Sequence, residues 1–178
     1  MAEFDAELLK AARTLLIRRS GQRGKLPAAR VRRSISTSYY AIFHFLLDEV
    51  GKRVVGTSNP LRIRRRMFAR LVTHAGAKAA LEKIGGVRIE HGVAELFGVP
   101  APPFAKDMAR AFADAQTKRI DADYDLNKPL SEADARLLRT RVSRVRRGWR
   151  GATLASDRDF KHALCLLILV KGRLRADN

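Results

Sequence analysis

Cysteine occurs once in this chain of 178 residues, at Cys165. A lone thiol excludes an internal disulfide framework, and its place inside the apolar run ALCLLILV marks it as a buried, inert residue. A reducing cytoplasm is the expected compartment. Long hydrophobic runs are missing as well. Ala163 to Val170 is the most apolar stretch, and it falls far short of the roughly 20 residues that cross a bilayer. The amino terminus, MAEFDAELLKAARTLLIRR, is acidic before it is amphipathic, unlike a secretory signal. These absences point to a soluble cytoplasmic protein with no membrane partner. Arrays that carry familiar chemistry are also absent. No Cys/His set has metal-ligand spacing, no glycine-rich loop suits a phosphate, and nothing resembles a Ser-His-Asp arrangement. Neither a metal nor a cofactor is expected.

The shortage with the largest consequence is that of acids. Eighteen Asp+Glu face thirty-six Lys+Arg, leaving a formal charge of +18. Such an excess repels itself and finds its natural partner in a polyanion: RNA, DNA or an acidic protein. Arginine supplies most of the positive charge, and its planar guanidinium suits phosphate better than a lysine does. With 46% hydrophobic residues the chain is nevertheless globular, and its length suits a single domain over residues 1–178.

What is present is helical periodicity. No run alternates with period two between turn residues, so strands are not expected. A first helix is predicted over Glu3 to Arg19, ended by SGQRGK. Pro27 suits the first turn of a second helix running to about Glu49. Its stripe Val31, Ile35, Tyr39, Ile42, Leu46 and Val50 advances in steps of 4, 4, 3, 4 and 4. Asn59-Pro60 predicts the start of one continuous helix through LRIRRRMFARLVTHAGAKAALEKI, closed by Gly85-Gly86. A short helix is expected around Glu90 to Phe97, then an extended PAPP segment. Another helix begins near Phe104 and lasts to about Arg119. Ser131 and Asp134 resemble a capping box before a helix cored by Leu138, Val142, Val145 and Trp149, which Gly148 and Gly151 close. A last, apolar helix spans about Asp157 to Arg173. The fold class expected is all-α: an antiparallel bundle of five or six long helices and one short one.

The arginines cluster at Arg18 to Arg33, at Arg62 to Arg70, and at Arg139 to Arg150. Arg32, Arg33, Arg65, Arg66, Arg70, Arg146 and Arg147 are the residues expected to meet nucleic-acid phosphates, reading shape rather than sequence. Two histidines, His74 and His162, follow Arg70 and Arg158 by four residues. At helical spacing each pair shares a face and joins a fixed cation to a titratable imidazole. That combination suits RNA cleavage, one group moving a proton while the other stabilises charge on phosphorus. A solvated charged face remains the alternative.

RRSISTSYYAIFHF resembles a signature of the HEPN superfamily (higher eukaryote and prokaryote nucleotide-binding domains), in which Arg-Arg precedes Tyr-Tyr-Ala-x-Phe-His on the second helix. FADAQTKRIDADYDLN is similar to that family's second hallmark, here Gln116, Arg119, Ala122, Asp123, Tyr124 and Asp125. Between them, RLVTHAGAK resembles a helix of some bacterial members at Arg70, His74 and Lys78. The resemblance implies an all-α bundle that commonly forms a homodimer. It implies RNA or nucleotide binding, toxin-like or defence roles, and in many members metal-independent endoribonuclease activity. A small antitoxin or nucleotidyltransferase-like protein is the partner it implies. Active members carry an Arg-x4-6-His spacing, which Tyr124, Asp125 and Leu126 replace here. This departure leaves the chemistry open between cleavage and binding. The catalytic set the resemblance favours is Arg119, His44 and His74 for charge stabilisation and proton transfer, with Asp123 and Tyr124 positioning. From spacing alone, Arg119 and Asp123 form an intrahelical ion pair. A non-catalytic module docking an acidic protein through its basic surface is the alternative function.

Overall fold

A computed structural model describes residues 4–18, 21, 23–86 and 95–171. Every regular element among them is helical and none is a strand. In chain order these are α1 (Phe4–Leu15), α2 (Ala28–Val55), a 3₁₀ turn (Asn59–Leu61), α3 (Arg62–Ala69), α4 (His74–Gly85), α5 (Pro103–Tyr124), α6 (Glu132–Gly151) and α7 (Ala155–Leu169). The chain divides into two compact units, one of residues 1–45 and 111–146, the other of 46–110 and 147–178. The short helix expected around Glu90 to Phe97 lies mostly outside the described residues; residues 95–97 of it are helical.

The second helix has the predicted stripe. Val31, Ile35, Tyr39, Ile42, Leu46 and Val50 are all buried, because steps of three and four keep them on one side of a 3.6-residue turn. The helix runs a turn and a half past Glu49, to Val55. Ser131 and Asp134 do form a reciprocal box: Asp134 Oδ2 accepts from the Ser131 backbone at 2.9 Å, and the Asp134 amide donates to Ser131 Oγ at 3.1 Å.

The continuous helix expected from Asn59 to Ile84 is broken. After α3 the chain tightens, Leu71 N donating to Phe68 O and Val72 N to Ala69 O. Thr73 then turns extended, with φ −98° and ψ 157°, and its side chain accepts from Gly76 N to cap α4. A good N-cap four residues from an α-helical end outweighs the propensity to continue. Arg70 therefore caps the end of α3 while His74 opens α4, and the shared helical face expected of them does not exist.

With carboxylates scarce, arginine turns to carbonyl oxygens. The last four carbonyls of a helix have no partner within it and carry the negative end of its dipole. In the first unit, Arg30 donates to Leu15 O and Ile17 O, and Arg136 to Leu16 O, closing α1. Arg32 alone reaches Asp121 O, Ala122 O, Asp125 O, Leu126 O and Lys128 O, and so clamps the end of α5 and the turn after it. In the second unit, Arg65 Nη1 binds Gly56 O and Ser58 O, both at 2.8 Å, beyond the end of α2. Lys161 Nζ donates to Ala152 O after α6, its ammonium lying over the rings of Phe104 and Trp149.

Arg146 departs from the basic surface its cluster suggested. Its side chain is buried, pairs with the buried carboxylate of Asp5, and lies 5.5 Å from the centroid of the Phe45 ring. Its place on α6 explains this: it follows Val142 by four and precedes Trp149 by three, inside the buried stripe. A buried pair is costly to break, because the surviving charge stays desolvated. Asp5→Ala is expected to lower stability in urea by about 3–5 kcal/mol. The double variant Asp5→Leu/Arg146→Met should recover most of that loss, since neither charge is then left alone.

Candidate functional site

The first unit gathers four of the five residues expected to carry chemistry. Arg119, one turn before the end of α5, forms a 2.7 Å ion pair from Nε to Asp123 Oδ2, the predicted i,i+4 partner. Its Nη2 donates to the hydroxyls of Tyr40 at 3.2 Å and Tyr124 at 3.3 Å. The guanidinium carbon also lies 5.8 Å from the Tyr40 ring centroid and 5.1 Å from that of Tyr124. Two aromatic faces and one carboxylate thus hold a single cation. No bond engages its second amino group, Nη1, among the described residues. The side chain is 22% exposed, so the group is fixed and yet reachable. Partial burial opposes the Arg119 charge, but Tyr40, Asp123 and Tyr124 outweigh it and hold the guanidinium above its ordinary pKa.

Ser36 is the member of this site that the sequence did not single out, whereas Tyr40 is the second tyrosine of the Tyr-Tyr-Ala-x-Phe-His segment. Ser36 Oγ donates to Asp123 Oδ1, orienting the carboxylate whose other oxygen meets Arg119. The two residues stand one turn apart on α2, on the flank of its buried stripe, and that i,i+4 spacing was the available signal. The neighbouring serines have structural duties: Ser34 donates to Ala12 O of α1, and Ser38 to Ser34 O. One turn before Arg119, the buried Gln116 Oε1 has no hydrogen-bond partner among the described residues.

His44 is not among the groups that bond to or pair with Arg119. Its ring packs edge-on against Phe4 of α1, with centroids 4.9 Å apart, and touches Phe43 and Tyr40 at 5.9 and 6.5 Å. Tyr40 is in contact with both the histidine and the arginine. His74 belongs to the other unit, as the exposed first residue of α4. His91 lies outside the described residues. His162 and Arg158 do share a face of α7 and line an open cleft of about 450 Å³ with Glu49, Lys52, Arg53 and Asp159.

The arginines expected to meet phosphate divide by exposure. Arg33, Arg66, Arg70 and Arg147 are exposed. Arg32 and Arg65 are half-buried and committed to backbone carbonyls, and Arg146 is inside. No group of His, Cys, Asp or Glu among the described residues could hold a metal ion, and none of the described helices is long and apolar enough to cross a membrane. Cys165 is fully buried, which pushes its thiol up to about 12 and leaves it unreactive.

No family model, curated protein or solved structure matches this chain.

Burial holds the His44 imidazole below its ordinary value of 6.5, with Asp5 opposing the shift. The folded chain therefore binds that proton less readily than the unfolded chain. The resulting stability is complete above pH 6.5 and is lost as the pH falls through the folded value. Urea midpoints measured below pH 6.5 should decline less steeply for His44→Phe than for the unaltered chain. Equal slopes would place the acid sensitivity elsewhere.

Proposed function

We propose that the chain is a HEPN-type helical protein that binds RNA or a nucleotide, with Arg119 as the phosphate-contacting residue of its site. The observation that carries this reading is the way Arg119 is held. Asp123, itself oriented by Ser36, pairs with the guanidinium, and the Tyr40 and Tyr124 hydroxyls accept from Nη2, while no bond among the described residues engages Nη1. A guanidinium positioned in advance loses little freedom when it meets a phosphate. The tyrosine rings beside it offer flat apolar surface to a base, a common means of holding single-stranded RNA. The surrounding excess of +18 supplies the long-range attraction.

Binding is favoured over cleavage at this site. A general base must lie within hydrogen-bonding reach of the proton it removes, and His44 instead packs against Phe4 and Tyr40. The family resemblance in the Tyr-Tyr-Ala-x-Phe-His and Ala-Asp-Tyr-Asp segments supports the HEPN assignment, the second copy of the chain as partner, and a toxin-like or defence role.

Anisotropy of a labelled RNA oligonucleotide tests the reading. Affinity should fall linearly on a log-log plot against salt, as counterion release requires. Arg119→Ala should weaken binding about tenfold, and Arg119→Lys should restore it only in part, because a lysine cannot offer the same planar donors. Bulk RNA incubated with the protein in EDTA should stay intact. Binding that ignores both salt and Arg119 would overturn the proposal in favour of an acidic protein partner.

A further inference from the structure

The second unit carries a helix that contributes no buried residue. α3 (Arg62–Ala69) exposes Ile63 at 68%, Met67 at 62% and Phe68 at 37%, and Leu71 in the turn after it at 55%. Ile63 and Met67 stand one turn apart on one face of α3, and Leu71 follows in the turn beyond its end, so the three form one exposed apolar ridge. The helix is attached by its other side, where Arg65 bonds to Gly56 O and Ser58 O. Arginines border the ridge on both edges. Arg64 follows Ile63, while Arg66 and Arg70 immediately precede Met67 and Leu71, and all three are exposed.

We propose that α3 lies on an anionic lipid surface, its ridge entering the headgroup boundary and its arginines meeting lipid phosphates. Four large apolar side chains this exposed on so short a segment are an unusual expense for a soluble protein unless something covers them. RNA would meet the exposed arginines and leave the ridge in water. A second copy of the same patch would set arginine against arginine. The ridge is convex, so a protein would need a matching apolar groove with an acidic rim. A bilayer interface requires no such match: it yields to a ridge and supplies negative charge on both sides at once. An apolar stripe between cationic edges is the pattern of helices that lie in that interface. The lack of a spanning helix among the described residues does not bear on this, since lying on a membrane and crossing it are different demands.

The test is co-sedimentation of the whole chain with vesicles of phosphatidylcholine alone and of phosphatidylcholine mixed with phosphatidylglycerol. Binding is expected only to the mixed vesicles, because each arginine at an anionic surface contributes about fivefold in affinity. Any protein of this charge can adsorb to anionic lipid, so the deciding variant keeps the charge and removes the ridge. Ile63→Ser/Met67→Ser/Leu71→Ser should lose binding at least tenfold while its circular dichroism and RNA affinity stay unchanged. Met67→Trp should show a blue shift in emission on the mixed vesicles, reporting entry of that side chain. Equal binding by the triple variant, or no shift at position 67, would reduce the effect to bulk electrostatics and overturn the proposal. Failure of the unaltered chain to bind mixed vesicles would also overturn it and assign the ridge to an acidic protein groove.

Discussion

The structure depends on how arginine finds an acceptor when acids run short. A cation left against other cations is unfavourable, and with two basic residues for each acidic one most arginines have no carboxylate to meet. Carbonyl oxygens at helix ends are the abundant alternative. They are polar, unpaired within the helix, and carry partial negative charge from the aligned peptide dipoles. Arg30 and Arg136 at the end of α1, Arg32 at the end of α5, and Arg65 beyond α2 follow the same logic. Each bond gives a carbonyl at or just beyond a helix end a charged donor. Each charge-assisted contact of this kind contributes on the order of 1.5–3 kcal/mol.

The same economy shapes the candidate site. Arg32 gathers the carbonyls at the end of α5, which fixes the last turn of the helix that carries Arg119, Asp123 and Tyr124. Tyr39 and Tyr40 are neighbours on α2 with opposite tasks. A step of about 100° sends one ring into the core against Phe112 and the other toward Arg119. The core stripe and the site therefore share one rigid helix, and the site inherits its precision from the packing behind it.

How much of this the sequence disclosed depends on whether both partners have an identity in it. The stripe of α2 was legible because apolar side chains repeat with the helix period. The Arg119–Asp123 pair was legible because both members are side chains one turn apart. Ser36 reaches across to another helix, so only its position on a flank hinted at its role. Bonds from arginine to carbonyl were not legible at all, since every residue has a carbonyl and only the fold says which are unpaired. Arg146 shows a signal masked by composition: its register matched the buried stripe, while its company of six other arginines on α6 suggested surface. The break before α4 depended on a competition between a capping threonine and helix continuation, which is decided by small energies rather than by pattern.

The carbonyl clamp of Arg32 has one further consequence. An ion pair fails in acid because its carboxylate takes up a proton. A peptide carbonyl has no proton to gain in that range, and a guanidinium none to lose. Helix ends closed in this way are indifferent to acidity. The last turn of α5, gathered by Arg32, is therefore held by contacts that pH leaves alone.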